Sequence, residues 1–297
     1  MVVKAAKLPG PGETVLGGSF LMTPGGKGAN QAMAVQRLLS QGAGNGGCVT
    51  LVAKVGDDLF GQQALQGFEK EGLDTRFVYY DTDAPSGVAL IGVDEQGENS
   101  IMVAPGANTN LTVGEVTQAL DAIPEAKWML LQLEIPMEIV AHSIREGARR
   151  GLKVLLNPAP AAAIPEDLFQ SLYLMTPNET EAEVLTGVAV SDEASARQAA
   201  CILLSKGAQN VVITLGSRGA LLSCADGHWV VPAPQVIPVD TTAAGDVFNG
   251  ALVVALSEQK PLLEAIRFAC HAAALSVTRM GAQVSIPQRA EVDAWMG

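Results

Sequence analysis

The stretch Trp128-Met129-Leu130-Leu131, followed by a helical pattern over 137–150 and the run Val154-Leu155-Leu156, decides the fold class. The same alternation continues downstream, with predicted strands at 173–175 and 211–214 and predicted helices at 179–186 and 194–206. Short β-rich runs that alternate with helices build parallel sheets with helices on both faces. The sequence therefore predicts an α/β fold with a doubly wound, mainly parallel sheet, whose ligands bind beyond the carboxyl ends of the strands.

The first hundred residues show a different pattern, which is typical of a small β-sheet. Four strand-like runs share it, at 14–22, 76–80, 87–93 and 100–103. The last two are spaced as an antiparallel hairpin, so we predict a lid over the main sheet. The predicted division is a discontinuous lid over 1–22 and 75–104 and an α/β core over 23–74 and 105–297. The glycine-rich stretch 40–47 predicts a surface loop.

Composition excludes several classes of protein. The 297 residues carry a formal net charge of −12 and no basic run, which argues against a nucleic-acid partner. No apolar stretch approaches the roughly twenty residues that span a bilayer, and no signal-peptide pattern is present, so we expect a cytoplasmic protein without a membrane partner. The four cysteines are far apart and form no C-x-x-C pair, and we expect them to be free core residues.

The most informative loop is Asp240-Thr241-Thr242-Ala243-Ala244-Gly245-Asp246, which runs directly into an apolar helix. Ala243, Ala244 and Gly245 leave their backbone N–H groups accessible, and the helix dipole adds about half a positive charge there. The loop therefore predicts a phosphate site, in which Asp246 accepts a proton from an alcohol beside the phosphate. Alternatively, Asp246 is simply an acidic residue in a first helical turn.

A second cluster is Pro24-Gly25-Gly26-Lys27-Gly28-Ala29-Asn30-Gln31-Ala32, whose three glycines allow a ligand close to the backbone. It is not a dinucleotide fingerprint, because Gln31 stands where that pattern needs Gly or Ala. It is not a Walker A loop either, because Gly28 follows Lys27.

A third segment, Thr176-Pro177-Asn178-Glu179-Thr180-Glu181, has two interpretations. Asn178 and Glu181 are spaced as a helix capping box. The same residues also follow a predicted strand and offer an amide and a carboxylate to hydrated Mg²⁺ or phosphate. The residues alone favour neither interpretation.

Together these segments resemble the ribokinase-like family of carbohydrate kinases over nearly the whole chain. The segment 25–32 is similar to the family's sugar-site motif, and 240–249 to its carboxyl-terminal signature. The segments 157–160, 176–183 and 214–219 are more similar to the ribose-phosphorylating members than to those acting on fructose, adenosine or ketodeoxygluconate. The resemblance implies transfer of phosphate from ATP to the 5-hydroxyl of ribose.

The resemblance also implies roles for individual residues. Asp246 would be the catalytic base, with the amides of Ala244 and Gly245 holding the migrating phosphoryl group. The implied sugar ligands are Gly26, Lys27, Asn30, Glu134 and Asp246. The implied nucleotide ligands are Asn178, Thr214, Leu215, Gly216, Ser217, Gly219, Gly245 and Cys270. Glu181 would organise Mg²⁺ through water, and the implied K⁺ site comprises Asp240, Thr242, Ser276, Arg279, Gly281 and Ser285. A homodimer formed through the lid is implied as well.

One departure from the family pattern concerns residues 1–4, Met-Val-Val-Lys. Family members usually begin with a buried β-strand and an Asn-x-Asp segment whose Asp binds sugar hydroxyls, and residues 1–4 match the part just after it. The resemblance therefore predicts unpaired apolar strand edges and weak ribose binding. Two alternatives stay open: a kinase for another sugar or nucleoside, such as deoxyribose, fructose or adenosine, and a catalytically weak sugar- or nucleotide-binding protein.

Overall fold

The computed structural model describes residues 1–39, 47–96 and 99–297, and nearly all of the predicted loop at 40–47 lies outside them. The strands are β1 (Val2–Lys4), β2 (Phe20–Leu21), β3 (Thr50–Gly56), β4 (Asp74–Asp81), β5 (Val88–Val93), β6 (Asn99–Ala104), β7 (Trp128–Leu131), β8 (Lys153–Leu156), β9 (Leu174–Met175), β10 (Asn210–Thr214), β11 (Ala220–Cys224) and β12 (Gly227–Val231). The α-helices are α1 (Lys27–Leu38), α2 (Leu59–Lys70), α3 (Val113–Ala122), α4 (Met137–Arg149), α5 (Glu179–Thr186), α6 (Glu193–Ser205), α7 (Ala244–Ser257), α8 (Leu262–Ser276) and α9 (Arg289–Met296).

The main sheet has six strands in the order β12-β11-β10-β9-β8-β7. Strands β7 to β10 are parallel, and β11 and β12 add antiparallel strands at one edge. Side chains alternate between two apolar layers: Leu155 packs in the layer of α1, α7 and α8, whereas Val154 and Leu156 pack in the layer of α4, α5 and α6. Helices therefore cover both faces, and the predicted doubly wound α/β fold is confirmed.

The lid is a four-stranded sheet in the order β2-β1-β5-β6. Strands β5 and β6 form the predicted antiparallel hairpin, with Leu90 opposite Met102. Of the predicted strand at 14–22, the structure forms only Phe20–Leu21. The domain boundaries themselves stay a prediction.

The predicted strand at 76–80 lies in a different place from the one expected. Strand β4 pairs in parallel with β3, with Val52 opposite Phe77, and has no partner in the lid. The reason is the connection between them: α2 makes a helical crossover, and a crossover joins parallel strands, whereas a lid hairpin needs only a tight turn.

The β3–β4 pair is not hydrogen-bonded to the main sheet in the described part of the chain. Alternate side chains of β3 and β7 nevertheless reach the same two layers. Ala53 and Leu130 pack beside α7, whereas Val52 and Met129 pack with α3. A cavity of about 2880 Å³ lies between them and continues beneath the lid. One edge of β3 and one edge of β7 therefore have no strand partner among the described residues, which is the kind of apolar edge that the family resemblance predicts.

No helix in the described ranges is long and apolar enough to cross a bilayer. All four cysteines are free, as expected, but only Cys270 is buried in the core. Cys48 and Cys201 are exposed, so the expectation of four core cysteines was wrong. Their spacing carried no information on burial, which the packing of each element decides.

Candidate active site

The helix α7 begins at the junction that the sequence singles out as a phosphate site. Ala243 caps it in a left-handed conformation, with φ 63°. The N–H of Ala244 is already used, since it donates to the carbonyl of Thr241 at 3.2 Å. No carbonyl of the described chain accepts from the N–H of Gly245, and a Cβ built on Gly245 would meet no atom within 4 Å. Gly245 therefore offers a free donor beside open space, whereas the Ala244 donor is occupied in this conformation.

Asp246 lies one residue further into α7 and is 6% exposed. Its Oδ2 accepts from Asn30 Nδ2 at 2.8 Å, and its Oδ1 accepts from Gln31 Nε2 at 2.9 Å. Burial raises the pKa of Asp246, against the lowering effects of the nearby Lys27 charge and the two amide donors. Asp246 also lines the large cavity, so this buried carboxylate has access to a ligand.

The sugar-site residues predicted from the sequence surround the same part of the cavity. Gly26, Lys27, Asn30, Glu134 and Asp246 all line it. Asn30 is buried, and its Oδ1 has no hydrogen-bond partner in the described protein. A buried, unpaired acceptor is costly unless a ligand donates to it, so this oxygen fits a hydroxyl group.

Glu134, which follows β7, completes this wall. Its Oε2 accepts from the backbone N–H of Lys27 at 2.7 Å. Burial raises the pKa of Glu134, and the neighbouring Asp246 charge acts in the same direction. Gly26 caps α1 with φ 94°, a conformation that favours glycine, so this turn brings bare backbone to the cavity.

The predicted nucleotide-site segments meet at the ends of β9 and β10. Asn178 and Thr214 form an isolated parallel bridge, and Thr214 N–H donates to the carbonyl of Pro177 at 3.0 Å. After β10 the chain turns tightly at Gly216, which has φ 56° and open space beside it. These segments, 176–178 and 214–219, do not line the large cavity, so their assignment to the nucleotide site stays a prediction.

Asn178 and Glu181 form the capping box of α5. Asn178 Oδ1 accepts from Glu181 N–H at 2.8 Å, and Glu181 Oε2 accepts from Asn178 N–H at 2.9 Å. Burial raises the pKa of Glu181, and the Asp246 charge contributes to the same shift. The two carboxylates therefore interact electrostatically.

The loop at 240–242 is fixed to the segment that follows α8. Asp240 Oδ1 accepts from Thr242 N–H at 2.9 Å, and its Oδ2 accepts from Gly281 N–H at 2.8 Å. Burial opposes ionisation of Asp240, but these hydrogen bonds outweigh it and lower the pKa of the carboxyl. The structure therefore brings Asp240, Thr242 and Gly281 together.

Other predicted cation-site residues point elsewhere. Arg279 pairs with Glu291, and the hydroxyls of Ser276 and Ser285 donate to the carbonyls of Ala273 and Ala282 at 2.8 Å. No cluster of three or more metal-ligating side chains occurs among the described residues.

Comparison with known proteins agrees with this geometry. The family model described as "pfkB family carbohydrate kinase" matches residues 2–289. The chain belongs to the pfkB family of carbohydrate kinases.

Several relatives of this pfkB-family kinase have names or solved structures. The ribokinase of Haemophilus influenzae is 43% identical over 281 residues, covering 95% of this chain and 90% of the relative. The deoxyribokinase of Salmonella typhi is 36% identical, covering 97% and 92%. The Thermotoga maritima ribokinase structure has a TM-score of 0.87 at 39% identity, covering 99% and 95%. The Arabidopsis thaliana ribokinase complexed with ribose and ATP has a TM-score of 0.88 at 31% identity, covering 99% and 94%.

Sequence reasoning did not assign some residues of this pfkB-family site. The buried Gln31, Asn157 and Asn249 and the half-buried Gln132 form an amide network beside Asp246, which Thr176 connects to Asn249. All four lie inside or next to segments singled out in the sequence, but their spacing does not show which residues meet. Cys270, assigned to the nucleotide site, is 4% exposed, and burial raises the pKa of its thiol to about 12.

Proposed function

We propose that this carbohydrate kinase phosphorylates D-ribose at the 5-hydroxyl, with ATP as phosphoryl donor. The observation that carries the proposal is Asp246, a buried carboxylate that lines the cavity one residue after the free N–H of Gly245. The named relatives include several ribokinases, and the Arabidopsis structure holds ribose and ATP. Both observations favour a sugar alcohol as the acceptor.

In the proposed reaction, Asp246 accepts the proton of the 5-hydroxyl as its oxygen attacks the γ-phosphorus of ATP. A bond forms between that oxygen and phosphorus, and the bond from phosphorus to the ADP oxygen breaks. The N–H of Gly245 and the amino end of α7 stabilise the negative charge on the transferring group. Asn30, with its unpaired buried oxygen, and Glu134 accept hydrogen bonds from sugar hydroxyls.

Phosphoryl transfer from ATP requires a divalent cation, which when bound would neutralise part of the charge on the phosphates. Glu181 fits this task because it is a buried carboxylate that interacts electrostatically with Asp246. We assign it to hydrated Mg²⁺. The segments 176–178 and 214–219 would hold the nucleotide. Cys270 would pack near the nucleotide without ionising.

We also propose K⁺ activation, a dimer and a cytoplasmic location. Asp240 supplies an ionised carboxylate at the loop before α7, so a monovalent cation there would fix the anion site. The outer lid face exposes Phe20, Leu90 and Met102, which a second copy would cover. Use of ATP favours the cytoplasm.

The test is an ADP-release assay with ribose, deoxyribose, fructose and adenosine as acceptors. We expect ribose to give the largest kcat/KM, and Asp246→Asn to lower it by about 100- to 10,000-fold. A larger value for deoxyribose would support the alternative suggested by the deoxyribokinase relative. No stimulation by any acceptor would favour a binding protein and would overturn the proposal.

A further inference from the structure

The Asp246 carboxylate is held by a chain of amides that begins at the half-buried Gln132, directly after β7. Gln132 donates to Gln31 Oε1, and Gln31 Nε2 donates both to Asp246 Oδ1 at 2.9 Å and to Asn157 Oδ1 at 3.0 Å. Gln31 is 1% exposed and Asn157 is 7% exposed. Every hydrogen-bonding atom of the Gln31 amide is therefore engaged inside the protein.

The direction of these hydrogen bonds is fixed by chemistry. An ionised carboxylate only accepts hydrogen bonds, so the side of Gln31 that faces Asp246 must be its NH₂ group. Its oxygen then faces the NH₂ group of Gln132, and an inverted Gln31 amide would break both contacts. Asn157 is oriented as well, because its Nδ2 donates to the carbonyl of Thr176 at 3.1 Å.

The network continues to the anion site. Thr176 Oγ1 donates to Asn249 Oδ1, and Asn249 Nδ2 donates to the carbonyl of Gly245 at 2.8 Å. Asn249 is 1% exposed. One buried network therefore joins the Asp246 carboxylate to the residue whose N–H is free for the transferring phosphoryl group.

Asn30 and Gln31 hold the two carboxylate oxygens in different ways. Both residues line the cavity, but only Asn30 has an unpaired oxygen for a ligand, so sugar binding changes its surroundings. The Gln31 amide has no unpaired atom left for a sugar, because its donors and its acceptor are all used within the protein. Its contribution is therefore to the base and not to the substrate.

We propose that Gln31 is a positioning residue, which holds the Asp246 carboxylate in one orientation toward the acceptor hydroxyl and favours its ionised form through a fully satisfied amide network. This inference rests on the proposed role of Asp246 as the base. A carboxylate held at one oxygen by a fixed donor presents its other oxygen in a defined direction, which is what efficient proton transfer requires.

The test compares Gln31→Leu, which removes all three hydrogen bonds, with Gln36→Leu on the same helix. Gln36 lies outside the site, so its variant controls for loss of an amide from α1. For Gln31→Leu we expect kcat to fall roughly 10- to 100-fold, as for loss of a hydrogen bond to a charged group, with the ribose KM changed less than about threefold.

The pH profile separates positioning from a general structural role. The charged groups that act on Asp246 are Lys27 on α1, Glu134 after β7 and Glu181 on α5, and none of them changes in the variant. Loss of the Gln31 donor should therefore move the acid limb of kcat to higher pH. Gln31→Glu keeps the shape of the side chain, and its added negative charge should move the limb at least as far.

Two results would overturn the inference: a Gln31→Leu enzyme with an unchanged acid limb, or one in which the ribose KM rises while kcat stays constant. Should Gln31→Leu not fold, the same comparison is made with Gln31→Glu. The proposed base is tested separately by Asp246→Asn. If that variant is inactive while both Gln31 variants behave like wild type, only the positioning role fails.

Discussion

The backbone N–H of Lys27 donates to Glu134 Oε2 at 2.7 Å, which joins the start of α1 to the end of β7. Lys27 and Glu134 are 107 positions apart in sequence, and both line the cavity. The hydrogen bond holds the glycine-rich turn against the sheet. It also occupies one oxygen of a carboxylate that lines the cavity, and we expect the other oxygen to accept from a sugar hydroxyl.

Substitution of Glu134 by Gln should weaken sugar binding more than catalysis. Gln keeps an oxygen for the Lys27 N–H but replaces a charged acceptor with a neutral one. We expect the ribose KM to rise about tenfold, the usual cost of losing the charge in such a hydrogen bond, with kcat nearly unchanged. Initial rates at saturating ATP measure this. The ATP KM is the control, and an unaltered ribose KM would contradict the sugar assignment.

The stability of Asp246→Asn relative to wild type should increase with pH. Burial raises the folded-state pKa of Asp246, so ionisation of this carboxyl opposes folding. The wild-type protein therefore loses stability as pH rises from the usual carboxyl pKa through the folded-state pKa. Asp246→Asn has no carboxyl to ionise at this position, so this loss of stability is absent from the variant. Melting temperatures of both proteins between about pH 5 and about pH 8 measure the difference.

Asp240→Asn is the matched control for that experiment, because its pKa is shifted in the opposite direction. The folded-state pKa of Asp240 is lowered, so its ionised form supports folding above the usual carboxyl value. We expect Asp240→Asn to lower the melting temperature at neutral pH, and to do so less as pH falls through the folded-state pKa. Equal pH profiles for both variants would show that these two environments do not differ as described.

Replacement of K⁺ by choline should lower kcat. A small cation at the 240–242 loop would fix the start of α7, whereas choline is too large for a site beside Asp240. Rates are measured at constant ionic strength, so that general screening is the same in both salts. Asp240→Asn should be less sensitive to the exchange than wild type. Equal turnover in the two salts would refute K⁺ activation.

Met102→Lys should disrupt the proposed dimer. Met102 is 67% exposed on the outer lid face, so Lys there is tolerated by the monomer but opposes contact with an apolar copy. Sedimentation equilibrium should show a lower association constant for this variant. Val184→Lys is the control, since Val184 is equally apolar and 53% exposed on α5, away from the lid. A wild-type monomer would exclude the dimer.

Much of the fold could be predicted because each element has a local signature. The parallel strands β7 and β8 follow from two apolar runs separated by a helix, and the hairpin β5–β6 from two strand-like runs a few residues apart. The placement of β4 was harder. A single strand-like run carries no information on its partner, and the crossover helix α2 gave it a parallel partner outside the lid.

The candidate site shows a similar division. The segments 24–32 and 240–246 were identified from small residues, whose bare backbone suits a phosphate or sugar ligand. The capping box of Asn178 and Glu181 also follows from spacing alone, and the structure forms it. The engagement of the Ala244 N–H by Thr241 could not be predicted, since it depends on the left-handed turn at Ala243.

The sequence by itself determined the layered α/β fold, the family and the glycine-rich and acidic segments, because these depend on residues close together in the chain. Only the tertiary structure decided that Gln31 donates to Asp246, that Glu134 accepts from Lys27 and that β3 and β7 do not pair with each other. These two hydrogen bonds join residues more than a hundred positions apart, and their geometry follows from how helices pack on the sheet. Local periodicity contains no record of that packing.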